Sequence, residues 1–319
     1  MILQPGCIQN AGALKGGERL TMGPMLRALR VYQYPKNFLL FAALIFGQEL
    51  FDGVKLLTSM AAFAAFCAAS SAVYIFNDLR DLERDRMHPD KRTRPFVSGA
   101  LRVRTGWAML TALTAAGLLI AALINPAFLL AVLAYFALNL FYSLFAKNVV
   151  LLDVICVASG FVIRAVAGAL AISVAFSNAL VICTFFLALF LVLGKRLREL
   201  EDLGELSGTS RSVLDLYSKP LLEALILIMA AATLLVYVMY TMSPEVIERF
   251  ETDKLYLTLP FVIYGLFRYL FLVHNAKGGG DPSKTLLTDG PLLAAVVLWG
   301  LASIAILYGF GGPPTPTMN

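Results

Sequence analysis

Four side chains with oxygen atoms, Asn77, Asp78, Asp81 and Asp85, follow a long apolar run and have a spacing that could bind a metal ion. If this stretch is helical, a rotation of about 100° per residue places the three aspartates on one face, with Asn77 beside Asp81. Carboxylates so close together repel one another unless a cation lies among them. Mg2+ binds oxygen ligands and shares its coordination shell with substrate phosphates. The pattern therefore predicts a magnesium site in which Asp78, Asp81 and Asp85 are catalytic. A solvated helix end of mixed charge is the alternative, and the cost of aspartate at the edge of an apolar run disfavours it.

A basic loop follows the acidic residues, and its chemistry suits phosphate groups. It contains Lys91, Arg92 and Arg94 between Pro89 and Pro95. The prolines restrict the backbone, and arginine donates paired hydrogen bonds to phosphate. Beside a carboxylate-bound metal, such cations could bind the remaining oxygens of a diphosphate. Basic residues are also common in any cytoplasmic loop of a membrane protein, which is the alternative explanation.

Three further groups are candidates for substrate binding. Tyr142 and Lys147 follow the fourth apolar run, where they could equally be an ordinary anchor pair at the membrane interface. Arg164 lies within the fifth apolar run, where an arginine indicates a functional site, with Asp153 or an anionic ligand as its partner; a structural buried ion pair is the alternative. A charged cluster ends the sixth run and consists of Lys195, Arg196, Arg198 and Glu199.

The elements that must position these residues are membrane-spanning helices. Of the 319 residues, 59% are hydrophobic and 15% are charged, whereas soluble domains are about 45–50% apolar and about 25% charged. Apolar segments in lipid must satisfy their backbone hydrogen bonds internally, so the predicted fold class is all-α. We predict nine transmembrane helices, each able to cross about 30 Å of hydrocarbon, at 37–51, 56–76, 104–124, 127–146, 150–172, 178–194, 220–241, 255–275 and 290–310.

The distribution of basic residues predicts the orientation of these helices. The 26 lysines and arginines lie in the N-terminal segment or at the ends of the second, fourth, sixth and eighth helices, except for Lys55, Arg164, Arg249 and Lys254. Because cytoplasmic loops are enriched in lysine and arginine, we expect a cytoplasmic N-terminus and a candidate site on the cytoplasmic side. The protein is then expected in the inner membrane of a bacterium.

The rest of the chain adds few constraints. Residues 1–24 are rich in glycine and polar residues and are expected to be a disordered tail, residues 25–312 a single transmembrane catalytic domain, and residues 313–319 a short tail. We expect no signal peptide. The spacing of Cys7, Cys67, Cys156 and Cys183 matches neither a disulfide framework nor a metal site.

The order of these motifs resembles that of the UbiA superfamily of intramembrane prenyltransferases. The likeness rests on Asn77-Asp78-x-x-Asp81-x-x-x-Asp85 after the second helix and Tyr142-Ser143-x-x-x-Lys147 after the fourth. The usual members carry a second aspartate-rich motif after the sixth helix, whereas this chain has Gly194-Lys195-Arg196-Leu197-Arg198-Glu199. That difference, together with Lys36-Asn37 and Phe161-x-x-Arg164, resembles the decaprenyl-phosphate phosphoribosyltransferase branch of the superfamily.

The resemblance implies a UbiA-like bundle with a cytoplasmic-side active site. It implies the transfer of 5-phosphoribose from phosphoribosyl diphosphate to a polyprenyl phosphate, with Mg2+ as cofactor and release of diphosphate. No nucleic-acid partner is expected, and the oligomeric state is left open. The metal ligands would be Asn77, Asp78, Asp81 and Asp85. The substrate-binding residues would be Lys36, Asn37, Lys91, Arg92, Arg94, Tyr142, Lys147, Arg164, Lys195, Arg196, Arg198 and Glu199.

Two other functions are compatible with parts of the sequence. An aromatic prenyltransferase would use a polyprenyl diphosphate, with Glu199, Glu201 and Asp202 as an irregular second metal site. A transporter would line a path across the membrane with charges, whereas here the charges gather on one side, with Arg164 as the clearest exception.

Overall fold

The computed structural model describes residues 23–87, 89–175, 177–204, 213–275 and 281–309. These residues form α-helices and short 3-10 helices without a β-strand, which confirms the all-α fold. The α-helices are α1 (Pro24–Leu29), α2 (Ala42–Phe46), α3 (Gly53–Arg80), α4 (Leu82–Met87), α5 (Val103–Ile124), α6 (Pro126–Leu144), α7 (Leu152–Ala171), α8 (Asn178–Gly204), α9 (Lys219–Thr241), α10 (Pro244–Phe250), α11 (Leu259–His274), α12 (Pro282–Thr288) and α13 (Gly290–Gly309). The 3-10 helices are Val31–Phe41, Pro89–Thr93, Ala146–Asn148, Leu214–Leu216 and Lys254–Thr258.

Several predicted features lie outside the described residues. They are almost all of the tail predicted at 1–24, all of the tail predicted at 313–319, Cys7 and His88. The three other cysteines, Cys67, Cys156 and Cys183, are buried and free. They pack as small apolar residues inside the bundle.

Eight helical segments are long and apolar enough to cross a membrane. They correspond in order to the second to ninth predicted spans, so the protein is an integral membrane protein. The segments are α3, α5, α6, α7, Asn178–Glu201 within α8, α9, Lys254–His274 and α13.

The first predicted span, at 37–51, has a different structure. It falls on the 3-10 helix Val31–Phe41 and on the short helix α2. A 3-10 helix rises about 2.0 Å per residue and an α-helix about 1.5 Å. Together these two segments therefore reach almost 30 Å, although the α-helical part alone is short. The described residues thus contain eight long apolar helices, and the predicted count of nine is not confirmed.

Local sequence signals explain where many of these helices begin. Asn125, Ser218, Ser243 and Asp281 each precede a helix, and each side chain accepts a hydrogen bond from a backbone N–H of the first turn. Proline is at the first or second position of all four helices, where its missing N–H costs nothing. Pro126 starts α6 as predicted, and Pro291 is the second residue of α13.

Helix α7 is the central element of the bundle. It packs against α6 on one side, against α8 on the other, and against the 3-10 helix Val31–Phe41. Its buried face is rich in alanine and glycine, which lets neighbouring backbones approach closely, as in many membrane bundles. At Gly168 an added Cβ would overlap the backbone carbonyl of Leu40, whereas at Gly160 it would make only ordinary contacts. The close approach of the two backbones therefore requires glycine at position 168.

Gly168→Ala should destabilise the protein, because the added methyl group would collide with backbone atoms that cannot rotate away. We expect a loss of about 1–3 kcal/mol, seen as a lower midpoint of thermal unfolding in detergent. The matched control is Gly265→Ala in α11, where a Cβ has open space and alanine improves the helix propensity. Equal unfolding midpoints for the two variants would contradict this close contact.

Candidate active site

The sequence-predicted residues meet at one end of the bundle. The C-terminal ends of α3, α6 and α8 lie there beside the N-terminal end of α7, with α1, the 3-10 helix Val31–Phe41 and α12 packed around them. Arg80 near the end of α3 donates to the backbone carbonyl of Ser143 near the end of α6. Lys36, Lys195 and Asp281 lie close enough together to interact electrostatically.

Asp78 and Asp85 share one cation. The same nitrogen of Arg94, NH1, donates to Oδ1 of Asp78 at 2.9 Å and to Oδ2 of Asp85. Arg30 donates to Asp78 at 2.6 Å, and the Lys91 ammonium lies 3.3 Å from Asp85. Both carboxylates have side chains that are only 2% exposed. The loop cations predicted to bind phosphate therefore neutralise the acidic residues in this structure.

Asp81 lies in a different environment from the other two aspartates. Helix α3 ends at Arg80, and Asp81 caps it before α4 begins at Leu82. The Asp81 carboxylate accepts hydrogen bonds from Lys147 at 3.0 and 3.1 Å. The expected continuous helix through Asp85 is therefore interrupted, although backbone hydrogen bonds of helical spacing continue across the junction. Asp81 thus pairs with Lys147, which lies on the segment after α6, and not with the cations that contact Asp78 and Asp85.

Asn77, the fourth predicted metal ligand, accepts a hydrogen bond of 2.5 Å from Ser143 Oγ. In the Tyr142-Ser143 pair it is thus the serine that contacts the acidic region, while Tyr142 is half-buried near Arg196. A carbonyl oxygen has two lone pairs, so Asn77 can still accept a second bond or bind a cation.

The donor set fits a magnesium ion only in part. Within the described ranges, no group of three or more His, Cys, Asp or Glu side chains could hold a metal ion. Asp78 and Asp85 do fit, because one guanidinium nitrogen already bridges their oxygens and marks a position for positive charge between them. Mg2+ is commonly held by one or two carboxylates, with water and substrate phosphates filling the remaining positions.

The basic cluster at the end of α8 does not form a single phosphate-binding patch. Arg196 is bonded to Asp153 at 2.9 Å and to Glu199. Tyr217 donates to the same Asp153 at 2.7 Å. Arg198 donates to Glu201 at 3.0 Å and is also mostly buried. Arg196 and Arg198 are thus both paired with acidic residues and mostly buried, whereas Lys195 is 40% exposed and lies 3.7 Å from Glu199.

The acidic residues of this segment are also occupied. Glu199 lies between Arg196 and Lys195, and Glu201 accepts from Arg198 and Lys219. The irregular second metal site of an aromatic prenyltransferase would need these two carboxylates together with Asp202, whose side chain lies outside the described part of the chain. Their ion pairs give that alternative no support.

Arg164 is a buried structural residue. Its guanidinium donates to Asn37 Oδ1 at 2.8 Å, to the Gly160 carbonyl at 2.8 Å and to the Tyr135 hydroxyl at 2.9 Å. The pairing with Asp153 considered from the sequence is wrong, because Asp153 bonds Arg196. Asn37 is only 1% exposed, so Arg164 and Asn37 fix the position of the segment that carries Lys36.

The candidate cations thus differ in accessibility. Arg92 is exposed and donates to the Arg86 carbonyl at 3.1 Å, on the outside of the loop. Lys36 is half-buried and makes no ion pair with the described residues. Burial lowers the pKa of Lys36 to about 8; Asp281 opposes that effect, and Arg164 and Arg30 add to it.

Sequence reasoning did not identify Arg30, Gln33 and Asp281 as members of this site. Arg30 follows α1 and bonds Asp78; Gln33 donates to Asp281 at 2.6 Å across 248 residues of sequence. In the sequence, Asp281 is recognisable only as the start of an Asp-Pro-Ser helix cap. Arg30 is one of several arginines near the N-terminus, and Gln33 carries no signal. Only the packing of α1 and α12 against α3 and α8 brings them together.

Comparisons with known proteins agree with this architecture. Residues 38–277 match the model of the UbiA prenyltransferase family. The decaprenyl-phosphate phosphoribosyltransferase of Corynebacterium glutamicum is 32% identical over 89% of this chain and 86% of its own length. The enzyme of the same name from Mycobacterium tuberculosis is 30% identical over 90% and 95%. A UbiA homologue from Archaeoglobus fulgidus, solved with GPP and Mg2+, superposes with a TM-score of 0.68 at 24% identity and covers 88% of this chain and 99% of its own.

Two adjacent residues of α8 should respond differently to mutation. Arg196→Met leaves the buried Asp153 without its cation and should destabilise the protein by about 3–5 kcal/mol. Lys195→Met removes an open ammonium and should change stability by less than about 1 kcal/mol. The midpoints of unfolding of both variants in detergent provide the test. Similar destabilisation by both substitutions would remove the distinction between a structural arginine and an open lysine.

Proposed function

Because the chain belongs to the UbiA prenyltransferase family, we propose that it is a membrane glycosyltransferase that moves 5-phosphoribose from phosphoribosyl diphosphate to a decaprenyl-type polyprenyl phosphate. Two relatives of matching length carry the name of this activity. The observation that carries the proposal is the chemistry of the end of α8. There Lys195, which is 40% exposed and 3.7 Å from Glu199, occupies the place of the second aspartate-rich motif that a prenyl diphosphate site would need.

The proposed orientation places this end of the bundle in the cytoplasm. The site end carries most of the basic residues, and cytoplasmic ends of membrane proteins are enriched in them. Phosphoribosyl diphosphate is a charged, water-soluble donor, so its binding site must open to an aqueous compartment. The host membrane would be the cytoplasmic membrane of a bacterium, as for the relatives' organisms.

Mg2+ would be held by Asp78 and Asp85, with Asn77 beside them. When bound, it would stabilise negative charge that develops on the leaving diphosphate. The chain's own cations act at the same place: Arg94 and Lys91, which now neutralise the two carboxylates, can turn to the diphosphate oxygens. Lys147 holds Asp81 and keeps the segment after α6 against the end of α3.

The reaction replaces one C–O bond by another. An oxygen of the lipid phosphate attacks C1 of the ribose, the bond from C1 to the diphosphate breaks, and diphosphate leaves with the electron pair. Because the second pKa of a phosphate monoester is about 6, the attacking oxygen is already ionised near neutral pH. A general base is therefore unnecessary. His274, the histidine within the described residues, is exposed and bonded to the Leu270 carbonyl, in keeping with this chemistry.

The two open lysines suit the second phosphate of the donor. Lys36 and Lys195 lie near Asp281, whereas the cations that contact Asp85 are Lys91 and Arg94. Phosphoribosyl diphosphate has a phosphate on C5, at the opposite end of the sugar from its diphosphate. A donor lying between Arg94 and these lysines would have cations at both of its charged ends.

An apolar groove between α3, α5 and α6 offers a place for the polyprenyl tail. Its volume is about 180 Å3, and Phe76 in its lining directly precedes Asn77. The lining thus includes the residue of α3 that directly precedes the predicted acidic motif. Its other apolar lining residues include Ala72, Val73, Leu110, Phe136 and Leu140.

Purified protein with Mg2+, labelled phosphoribosyl diphosphate and decaprenyl phosphate should yield a labelled lipid. Asp78→Asn and Asp85→Asn should each reduce the rate by more than about 100-fold, because each removes a charge aimed at the metal and diphosphate. Glu83→Gln is the matched control: Glu83 is on the same short helix, exposed and paired only with Arg86 at the surface. It should keep near wild-type activity.

A polyprenyl diphosphate with 4-hydroxybenzoate serves as the alternative substrate pair. Formation of a prenylated aromatic acid, together with no labelled lipid, would replace the proposed function by aromatic prenyl transfer. Full activity of Asp85→Asn with unchanged Mg2+ dependence would remove Asp85 from the metal site.

The pKa of Lys36 predicts a pH dependence. Since this pKa is lowered to about 8, the ammonium is protonated at pH 7 and mostly neutral at pH 9. If the charged form binds donor phosphate, kcat/KM for phosphoribosyl diphosphate should fall about tenfold between these two pH values. Lys36→Arg keeps a cation at both pH values and should flatten the profile. The same decline in Lys36→Arg would assign the titration to another group.

A further inference from the structure

Asp281 is an acidic residue that the proposed reaction does not use. It begins α12, where its Oδ1 accepts from the Ser283 N–H at 3.1 Å, and its Oδ2 accepts from Gln33 Nε2 at 2.6 Å. An ionised carboxylate can accept about four hydrogen bonds. Helix capping thus explains one of these two contacts, and the carboxylate can still accept hydrogen bonds from a ligand.

Gln33 provides a second, independent sign of a ligand. Its side chain is 7% exposed, and its Oε1 has no hydrogen-bond partner among the described residues. A buried acceptor without a donor costs about 1–3 kcal/mol, so such groups are rare unless something binds them. The Gln33 amide is bonded to Asp281 through its Nε2. The Gln33 oxygen and the Asp281 carboxylate are therefore neighbouring hydrogen-bond acceptors.

The charges around these acceptors restrict what can bind there. Although burial opposes it, Lys36 and Lys195 hold the pKa of Asp281 below its usual range, aided by the bond from Gln33. Asp281 is therefore an ionised acceptor at neutral pH. A metal ion would be repelled by the two ammonium groups, and a phosphate would be repelled by the carboxylate. A ligand with two kinds of group would suit all four side chains. Its neutral hydrogen-bond donors would bind Asp281 and Gln33, and its phosphate would bind the two lysines.

We propose that Asp281 and Gln33 form a subsite for the hydroxyl groups of a phosphorylated sugar whose phosphate binds Lys36 and Lys195. Hydroxyl groups are the neutral donors of a sugar, and an acidic side chain that accepts from ribose hydroxyls is a common arrangement in nucleotide-binding sites. The identification of the sugar as ribose rests on the proposed function. A prenyl diphosphate has no hydroxyl groups, so this subsite selects a sugar donor against a prenyl donor.

Direct binding to the purified, full-length protein tests the subsite without turnover. The probes are ribose 5-phosphate, which has both phosphate and hydroxyls, and inorganic phosphate, which has no carbon-borne hydroxyls. Asp281→Asn keeps a good helix-capping residue and should raise the Kd of ribose 5-phosphate about tenfold. The Kd of inorganic phosphate should stay the same or fall, because a negative charge is removed. Gln33→Met, similar in size, should also raise the Kd of ribose 5-phosphate.

Asp289→Asn is the matched control. Asp289 caps α13 through the Leu292 N–H at 2.9 Å and pairs with Arg268 outside the site, so both Kd values should match wild type. An equal change of both Kd values in Asp281→Asn, or no change in either, would overturn the subsite. If ribose 5-phosphate binding depends on Asp281 but wild-type protein makes no labelled lipid, the sugar subsite stands and the proposed transfer is wrong.

Discussion

One nitrogen of Arg94 lies between two buried carboxylates, and the architecture of the site depends on that contact. Asp78 and Asp85 are at the end of an apolar helix, where two uncompensated negative charges would be prohibitively costly. The cations that compensate them come from segments distant in sequence: Arg30 after α1, and Lys91 and Arg94 from the loop after α4. The same charges therefore bind these segments to the end of α3 and assemble the site.

The basic residues of the site divide into two kinds by side-chain chemistry. Arginine has a planar set of five donors that can satisfy several acceptors at once. Arg164 and Arg196 are used in this way inside the bundle, where each bonds to at least two groups. Lysine has a compact ammonium on a flexible stem, and Lys36 and Lys195 lie near Asp281, with Glu199 beside Lys195. Structural arginines thus hold the backbone segments that carry these lysines.

Sequence reasoning predicted what composition and spacing determine and missed what depends on contacts across the fold. Apolar run length predicted seven spans to within four residues at each end, since backbone hydrogen bonding in lipid leaves few options; the sixth was predicted to end at 194, but its helix continues to Gly204. The first span was less predictable: its residues form a 3-10 helix and a short α-helix, and the backbone of Leu40 packs closely against Gly168 of α7. The aspartate spacing predicted that Asp78 and Asp85 lie close together, and in the structure Arg94 bonds both of them. It did not reveal that Asp81 pairs with Lys147, that Arg196 is taken by Asp153, or that Asp281 reaches the site from the far end of the chain.

The balance of charge argues for a donor with phosphates at both ends. Five carboxylates border the site, from Asp78, Asp81, Asp85, Glu199 and Asp281, against six cations, from Arg30, Lys36, Lys91, Arg94, Lys147 and Lys195. Two groups of cations can be distinguished: Arg94, Arg30 and Lys91 are near Asp78 and Asp85, whereas Lys36 and Lys195 are near Asp281, with Glu199 beside Lys195. A prenyl diphosphate has a single charged end and would leave the second group of cations without a ligand. A sugar carrying diphosphate at C1 and phosphate at C5 would place negative charge at both groups, and its neutral hydroxyls would then be available to the proposed acceptors Asp281 and Gln33.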